Sequence, residues 1–293
     1  MAFVKAKDGT KLYYEEGGEG VPLIFAHEFG GDLRSWEPQL RHFSRRYRCI
    51  AYNARGYSPS DVPEDLASYS QDLAAQDIRD VMDDLSIDKA HVVGLSMGGF
   101  ATLHFGLNFP ERALSLVVAG AGYGAEKQHE YYFRSVSLEV ANQFEKQGSE
   151  AFSKTYSMAA SRIAFLLKDP RGWHEFQRYL GEHSALGSAM TMRGVQAQRP
   201  SIYDLESRLR ALTTPMLVIV GDEDDHCLQP GIFLKRTVPA CGLLVMPRSG
   251  HTLNLEEPGQ FNQAVDDFLA TVAQGRWLPR DPRAMPSEIM KTS

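Results

Sequence analysis

The amino-acid sequence predicts an α/β fold, a mostly parallel sheet with helices on both faces, and three observations carry that prediction. Apolar runs of strand length alternate with stretches of helical periodicity from residue 21 to residue 119. The alternation stops between about residues 124 and 200, where helical patterns follow one another without a convincing strand. It resumes with two apolar runs, 216–220 and 242–246, each ending in a polar loop. These breaks divide the chain into a core of residues 1–123 and 201–275, an inserted helical cap of residues 124–200, and a C-terminal tail of residues 276–293.

The elements follow in order. Residues 3–7 and 12–16 alternate around the turn residues Asp8 and Gly9, the pattern of an antiparallel hairpin. Residues 21–26 form a continuous apolar run suited to a strand buried on both faces, ending in H-E-F-G-G at His27 to Gly31. A helix through Trp36, Leu40 and Phe43 leads to a strand at 49–52 and then to the loop N-A-R-G-Y-S-P-S-D, Asn53 to Asp61. Residues 71–85 place Leu73, Ile78, Val81, Met82 and Leu85 at helical spacing. Strand 90–95, helix 97–108 and strand 114–119 complete this half. The cap reads as helices at 131–144, 151–167 and 172–183. The core then returns with strand 216–220, a helix near 232–237, strand 242–246 and helix 258–272. Three prolines and little periodicity make the tail an extended arm.

Composition narrows the partners. A length of 293 residues suffices for one large α/β domain or a domain with an insert. Hydrophobic residues at 43% and charged residues at 23% are the balance of an ordinary globular chain, which disfavours disorder and coiled coil. The net charge of -6 carries no basic stripe, which argues against nucleic acid or an anionic membrane and favours a small, neutral ligand. Neither a signal-length apolar stretch nor a membrane span is present, so a cytoplasmic location is expected. Cys49, Cys227 and Cys241 are odd in number and lack C-x-x-C spacing, as expected of reduced thiols, with Cys49 and Cys241 packing in strands. A homodimer is left open.

The most informative stretch is V-V-G-L-S-M-G-G, Val92 to Gly99, where an apolar strand runs into a glycine-flanked serine and then into a helix. That context is what a G-x-S-x-G match needs to count as a nucleophile elbow. Gly94 and Gly98 allow a tight turn that lifts the Ser96 hydroxyl above the sheet, and Gly99 lets helix and strand approach. The Met97 amide opens the helix, where unpaired N–H groups and the helix dipole favour negative charge, so it is a candidate oxyanion donor. The plainer alternative is a glycine-rich turn of any doubly wound protein.

Two later loops stand where a base and an acid are needed. G-D-E-D-D-H, Gly221 to His226, and P-R-S-G-H-T, Pro247 to Thr252, both follow strand C-termini, the edge at which open α/β sheets bind ligands. His251 suits the base, because histidine titrates near neutrality and can take the serine proton. Spacing alone leaves Asp222, Asp224 and Asp225 as candidates for the acid that fixes its tautomer. A metal site at Asp222, Asp224, His226 and Cys227 is the competing reading, weakened by the lack of a further histidine cluster. In the cap, Met158, Met190, Met192, Tyr131, Phe133, Phe152 and Trp173 either line an apolar pocket or pack the cap onto its core.

Taken together, H-E-F-G-G, N-A-R-G-Y-S-P-S-D, G-L-S-M-G-G-F, V-G-D-E-D and S-G-H-T-L-N-L-E-E-P resemble the motifs of the α/β-hydrolase superfamily over about residues 3–273. The resemblance implies an eight-stranded, mostly parallel sheet with a helical cap, and a Ser96–Asp224–His251 triad with Phe29 and Met97 as the oxyanion amides. It implies a carboxylesterase-like serine hydrolase acting on a small ester or lactone, without metal or cofactor. Enol-lactonases, cofactor-free perhydrolases and a non-catalytic ligand-binding member are the alternatives. Ser96 argues against the haloalkane dehalogenase and epoxide hydrolase branches, which use aspartate there. Substrate contacts are expected from Glu28, Trp173 and Met190. Two motifs depart from the family pattern: Glu28 replaces a glycine, and Asn53 and Ser58 alter the D-x-R-G-x-G-x-S loop. A carboxylate beside oxyanion amides opposes the charge they must hold, so Glu28 is expected to turn away into a contact beneath its loop rather than to act in the pocket.

Overall fold

The computed structural model describes residues 2–284; the part of the expected C-terminal arm beyond residue 284 lies outside the described residues. Eight strands, β1 (Ala2–Lys5), β2 (Lys11–Gly17), β3 (Val21–Ala26), β4 (Tyr47–Tyr52), β5 (Ala90–Leu95), β6 (Ala113–Ala119), β7 (Met216–Gly221) and β8 (Cys241–Met246), form one sheet. Its order is β1-β2-β4-β3-β5-β6-β7-β8. The β1–β2 and β2–β4 pairs are antiparallel, and all pairs from β4 to β8 are parallel. β5 and β7 are buried at every position, which is why they read as unbroken apolar runs rather than alternating ones.

The helices are α1 (Glu37–Phe43), α2 (Gln71–Asp84), α3 (Met97–Asn108), α4 (Lys127–Gln147), α5 (Ser149–Tyr156), α6 (Ile163–Lys168), α7 (Pro170–Gly181), α8 (Ala185–Thr191), α9 (Glu206–Ala211), α10 (Asp225–Thr237), α11 (Leu253–Glu256) and α12 (Pro258–Ala273). One sheet face is covered by α2, α3 and α10, through Ile78, Val81, Phe105 and Leu234. The other is covered by α1 and α12, through Phe43, Phe261, Val265 and Phe268. Helix α2 starts where Ser70 Oγ accepts the Leu73 amide, a side-chain cap on an otherwise unpaired N–H. Among the described residues no helix is long and apolar enough to cross a membrane.

The chain runs from β3 outward to β4 and then returns to β5 on the other side of β3. This reversal opens a crevice at the carboxyl ends of β3 and β5, the place where such sheets bind ligands. Helices α4 to α8 lie in sequence between β6 and β7, with no strand among them.

The single helix expected over 151–167 is two helices separated by a 3₁₀ turn, Ala160–Arg162. Ala159 is extended at ψ 146°. Two consecutive alanines favour helix, so the break is imposed by tertiary contacts: the Ser161 carbonyl accepts the His251 amide at 3.1 Å, and Arg162 reaches the β3 loop. Helix α8 and the π-helical turn Met192–Gln196 that continues it were not expected either. At the end of the described chain Trp277 packs edge-on against Phe268 with centroids 4.6 Å apart, and its Nε1 donates to the Ala240 carbonyl at 2.9 Å.

Candidate active site

Ser96 sits at the carboxyl end of β5 with φ 54° and ψ -113°, a conformation that costs a non-glycine residue of order 1–3 kcal/mol. It is held there by its own amide, which donates to the Ala119 carbonyl at 2.8 Å, and by the Phe100 amide, which donates to the Ser96 carbonyl at 2.9 Å. The flanking glycines supply space. A Cβ on Gly94 would lie 2.1 Å from the Gly98 carbonyl oxygen, and one on Gly98 would lie 2.0 Å from that of Ala26. The serine itself takes the positive φ, which throws its hydroxyl into the crevice.

His251 Nε2 lies 2.8 Å from Ser96 Oγ, and its Nδ1–H donates to Asp224 Oδ2 at 2.6 Å. The Asp224 carboxylate is 1% exposed. Burial pushes its pKa up, but the neighbouring His251, Cys227 and Tyr123 together hold it below the ordinary aspartate value. Asp222 and Asp225 are exposed and point elsewhere; Asp222 Oδ1 accepts the Ser249 amide at 3.2 Å. The His251 loop is fixed by Glu256, which accepts the amides of Gly250 and Thr252 on either side of the histidine at 2.8 and 3.0 Å. Burial raises the Glu256 pKa despite those bonds. The sequence reading passed over Glu256, whose only signal was a carboxylate five residues beyond the histidine.

The loop after β3 carries the opposite wall. Ala54 N–H donates to His27 Nε2 at 3.0 Å, which leaves Nδ1–H to donate to the Glu28 carbonyl at 2.7 Å. The buried, neutral ring thereby ties this loop to the Asn53–Asp61 loop. Burial lowers its pKa to about 4. Asn53 Oδ1 accepts the Leu33 amide at 2.9 Å and its Nδ2 donates to the Ser58 carbonyl at 2.8 Å, a donor that an aspartate would lack. Tyr57 O–H donates to the Phe29 carbonyl at 2.9 Å, turning the Phe29 peptide. The Met97 amide is the first of α3, and among the described residues neither it nor the Phe29 amide has a hydrogen-bond partner.

Glu28 lies neither beneath its loop nor in the cavity. Its carboxylate forms a two-pronged ion pair with Arg162 from the 3₁₀ turn of the insert, with Arg162 Nη1 donating to Glu28 Oε1 at 2.8 Å and Nη2 to Oε2. Both side chains are almost fully buried, and Arg162 Nη1 also donates to Thr252 Oγ1 at 2.8 Å. The pair corrects the expected substrate contact: Glu28 is 1% exposed and both of its oxygens are engaged. Burial lowers the Arg162 pKa, but Glu28 and Tyr156 together raise it further than burial lowers it. Gly30 lies directly under the insert, where a Cβ would stand 2.9 Å from the Phe176 ring.

A cavity of about 370 Å³ opens beside Ser96 and His251. Helix α4 supplies Tyr132, Phe133, Val136, Ser137 and Val140 from one face, and Phe29, Phe152, Met192 and Arg199 are among the other wall residues. Trp173 and Met190, expected as substrate contacts, do not line it. Trp173 packs with Phe165 and Phe176 and donates Nε1–H to the Ser157 carbonyl at 2.9 Å, while Met190 packs against the cluster behind Phe29. Two residues on, the π-helical turn rotates Met192 to the wall. Met158 and Tyr131 point outward.

The proposed metal set of Asp222, Asp224, His226 and Cys227 is not assembled. Among the described residues, Asp224 and Cys227 gather instead with His251, their ligand atoms within 4.8 Å. Burial raises the Cys227 thiol well above its usual range, which disfavours the thiolate that a metal takes.

A model of the alpha/beta hydrolase fold matches residues 21–258. The chain belongs to the alpha/beta hydrolase family. It is similar to 3-oxoadipate enol-lactonase 1 of Acinetobacter baylyi, 27% identical over 266 residues that cover 87% of this chain and 91% of that protein. It is also similar to epoxide hydrolase 1 of Caenorhabditis elegans, 37% identical over 282 residues that cover 91% of this chain and 69% of that one. Among solved structures, an esterase of Thermogutta terrifontis superposes with a TM-score of 0.80 at 24% identity, covering 92% of this chain and 98% of the other. An alpha/beta hydrolase with this sheet and these relatives is an enzyme of carboxylesterase-like type.

Proposed function

We propose that the protein is a serine hydrolase that cleaves carboxylic esters through an acyl-enzyme. The observation that carries this reading is the relay Ser96 Oγ, His251 Nε2, His251 Nδ1, Asp224 Oδ2, with links of 2.8 and 2.6 Å, opening into a cavity. Ser96 attacks the ester carbonyl as His251 takes its proton, and the tetrahedral oxyanion accepts hydrogen bonds from the Phe29 and Met97 amides. His251, now an imidazolium paired with Asp224, gives the proton to the departing alcohol. Water, deprotonated by His251, then attacks the acyl-Ser96 carbonyl, and the serine leaves with the returned proton. In this scheme the Glu28–Arg162 pair acts at a distance. It cancels the carboxylate beside the oxyanion site and fixes the peptide that presents the Phe29 amide.

A second reading, opening of a lactone, draws support from the enol-lactonase relative. A lactone is a cyclic ester, so the same steps apply, with the alcohol still tethered to the acyl group as it leaves. The epoxide hydrolase relative does not change this reading, because Ser96 stands where the family resemblance implies an aspartate for that branch.

Labelling with a fluorophosphonate tests the first reading. It expects one adduct, on Ser96, turnover of p-nitrophenyl acetate, and loss of both in Ser96→Ala. No adduct, or turnover that survives in Ser96→Ala, overturns it. A panel of p-nitrophenyl esters and lactones, with products identified by mass, separates ester from lactone specificity.

A further inference from the structure

We propose that Arg199 anchors a carboxylate subsite in the cavity beside Ser96, so that the preferred substrates are esters or lactones bearing a second, ionised carboxyl group. The inference rests on the serine-hydrolase reading and names the substrate class for it.

The cavity wall carries Arg162, Arg199, His129, His226 and His251, and among the described residues no aspartate or glutamate lines it. The protein as a whole has a net charge of -6, so this wall runs against the overall balance. The whole-chain charge favoured a neutral ligand; the local charge favours an anion.

Arg162 is already neutralised by Glu28. Among the described residues nothing neutralises Arg199. Its Nη1 donates to Gln196 Oε1 and its Nη2 to the Tyr123 carbonyl, both uncharged acceptors, and its buried Nε has no partner. The guanidinium is clamped between two rings, with Cζ 3.7 Å from the Phe100 centroid and 4.8 Å from that of Phe133. Arg199 is partly buried, whereas Arg55 and Arg162 are fully buried. Arg55 pairs with Asp77 and Asp8, and Arg162 pairs with Glu28. Arg199 alone among these three has no carboxylate within ion-pair reach among the described residues.

An unpaired, partly buried cation costs free energy that aromatic faces offset only in part. Burial brings the Arg199 pKa down to about 9, and the Cys227 thiol, the neighbour that opposes the fall, is itself held protonated. A carboxylate entering the cavity would supply the missing partner. Arginine offers five N–H donors in a fixed plane, so with Gln196 and Tyr123 engaged, donors remain on both terminal nitrogens. The ring clamp holds that plane in place before the ligand arrives, which lowers the ordering cost of binding. Tyr123, whose carbonyl orients the guanidinium, also packs edge-on against His251 with centroids 5.1 Å apart. The anchor and the base are therefore joined through one residue, which sets the distance between a bound carboxylate and the reacting carbonyl.

The test uses matched pairs. Monophenyl glutarate is compared with its terminal amide, which places the charge on the acyl side. 4-Acetoxybenzoate is compared with 4-acetoxybenzamide, which places it on the alcohol side. The wild type is expected to favour the acid in one pair by about ten- to a hundredfold in kcat/KM, the range of a charge-assisted hydrogen-bonded pair. In Arg199→Met that ratio should fall to near one, and Arg199→Lys should recover part of it. A purely structural arginine would lower both members of a pair alike and leave the ratio intact. If Arg199→Met does not fold, calorimetry of the wild type with adipate and with adipamide answers the same question, adipate binding at least about tenfold tighter. No acid preference in either pair, a preference that persists in Arg199→Met, or equal binding of adipate and adipamide overturns the proposal. Failure of the serine reading is recognised separately, by absent labelling of Ser96, and the adipate measurement reads the subsite even then.

Discussion

Asp224, Asp222 and Asp225 lie within four residues of one another, and only Asp224 meets the His251 ring. Asp224→Asn should keep the fold and present the imidazole in the wrong tautomer, lowering kcat by roughly ten-thousand-fold. Asp222→Asn and Asp225→Asn should cost less than about tenfold. Steady-state kinetics on p-nitrophenyl acetate with circular dichroism decides the matter, and equal losses at all three positions would remove Asp224 from its role. This part of the site was legible because each residue sits in a short motif at a strand end. The Glu28–Arg162 pair was not legible, because its members lie 134 residues apart and Arg162 stands in no motif. It yields a second expectation. Glu28→Gln and Arg162→Met should each lose about 3–5 kcal/mol of stability by leaving one buried charge unpaired, and the double variant should recover part of that loss. Urea titrations of the four proteins measure the coupling; losses that simply add would mean that the two charges do not sense each other.

Among the secondary elements, the eight strands were readable to within two or three residues at their ends, because the central strands, buried on both faces, leave unbroken apolar runs and the first two alternate around a turn. The insert was less readable. Its helices are amphipathic on two sides, facing both the core and the cavity, so periodicity does not say which apolar residue touches substrate. Trp173 shows the consequence: a large aromatic in the insert, it packs against Phe165 and Phe176 away from the cavity. Helix α4 carries the cavity wall instead, with Phe133, Val136 and Val140 on one face. Val140→Trp should therefore shorten the acceptable acyl chain, lowering kcat/KM for p-nitrophenyl octanoate at least about tenfold more than for the acetate by overfilling the pocket. Trp173→Ala should leave that ratio alone and lower the stability by about 3–5 kcal/mol. A change in chain-length preference in Trp173→Ala, with Val140→Trp unaffected, would reverse the assignment of the wall.

For the molecule as a whole, three histidines outside the proposed triad set the response to acid. His27, His91 and His104 are all buried, and burial lowers the pKa of each to about 4. In the unfolded chain each returns to about 6.5. Between these values the unfolded state binds up to three protons that the folded state refuses. Stability therefore rises with pH across the window; it is fully present above about 6.5 and is lost as the pH falls towards 4. Each group contributes about 1.4 kcal/mol per pH unit once its unfolded form is protonated. Asp224, whose pKa is lowered, adds its own loss only below the ordinary aspartate range, so the histidines act first. The arrangement has local reasons: His27 Nε2 accepts the Ala54 amide, and a proton there would oppose N–H to N–H, while His104 Nε2 has no hydrogen-bond partner among the described residues. For a chain of this size, the melting temperature should fall by about 5–10 °C between pH 7 and pH 5 at constant ionic strength. His104→Gln, which removes one titrating group, should reduce that fall by about one third. Calorimetric scans at half-unit steps of pH measure both, and a melting temperature that stays level down to pH 5 would show that the three rings are protonated, or solvated, within the fold.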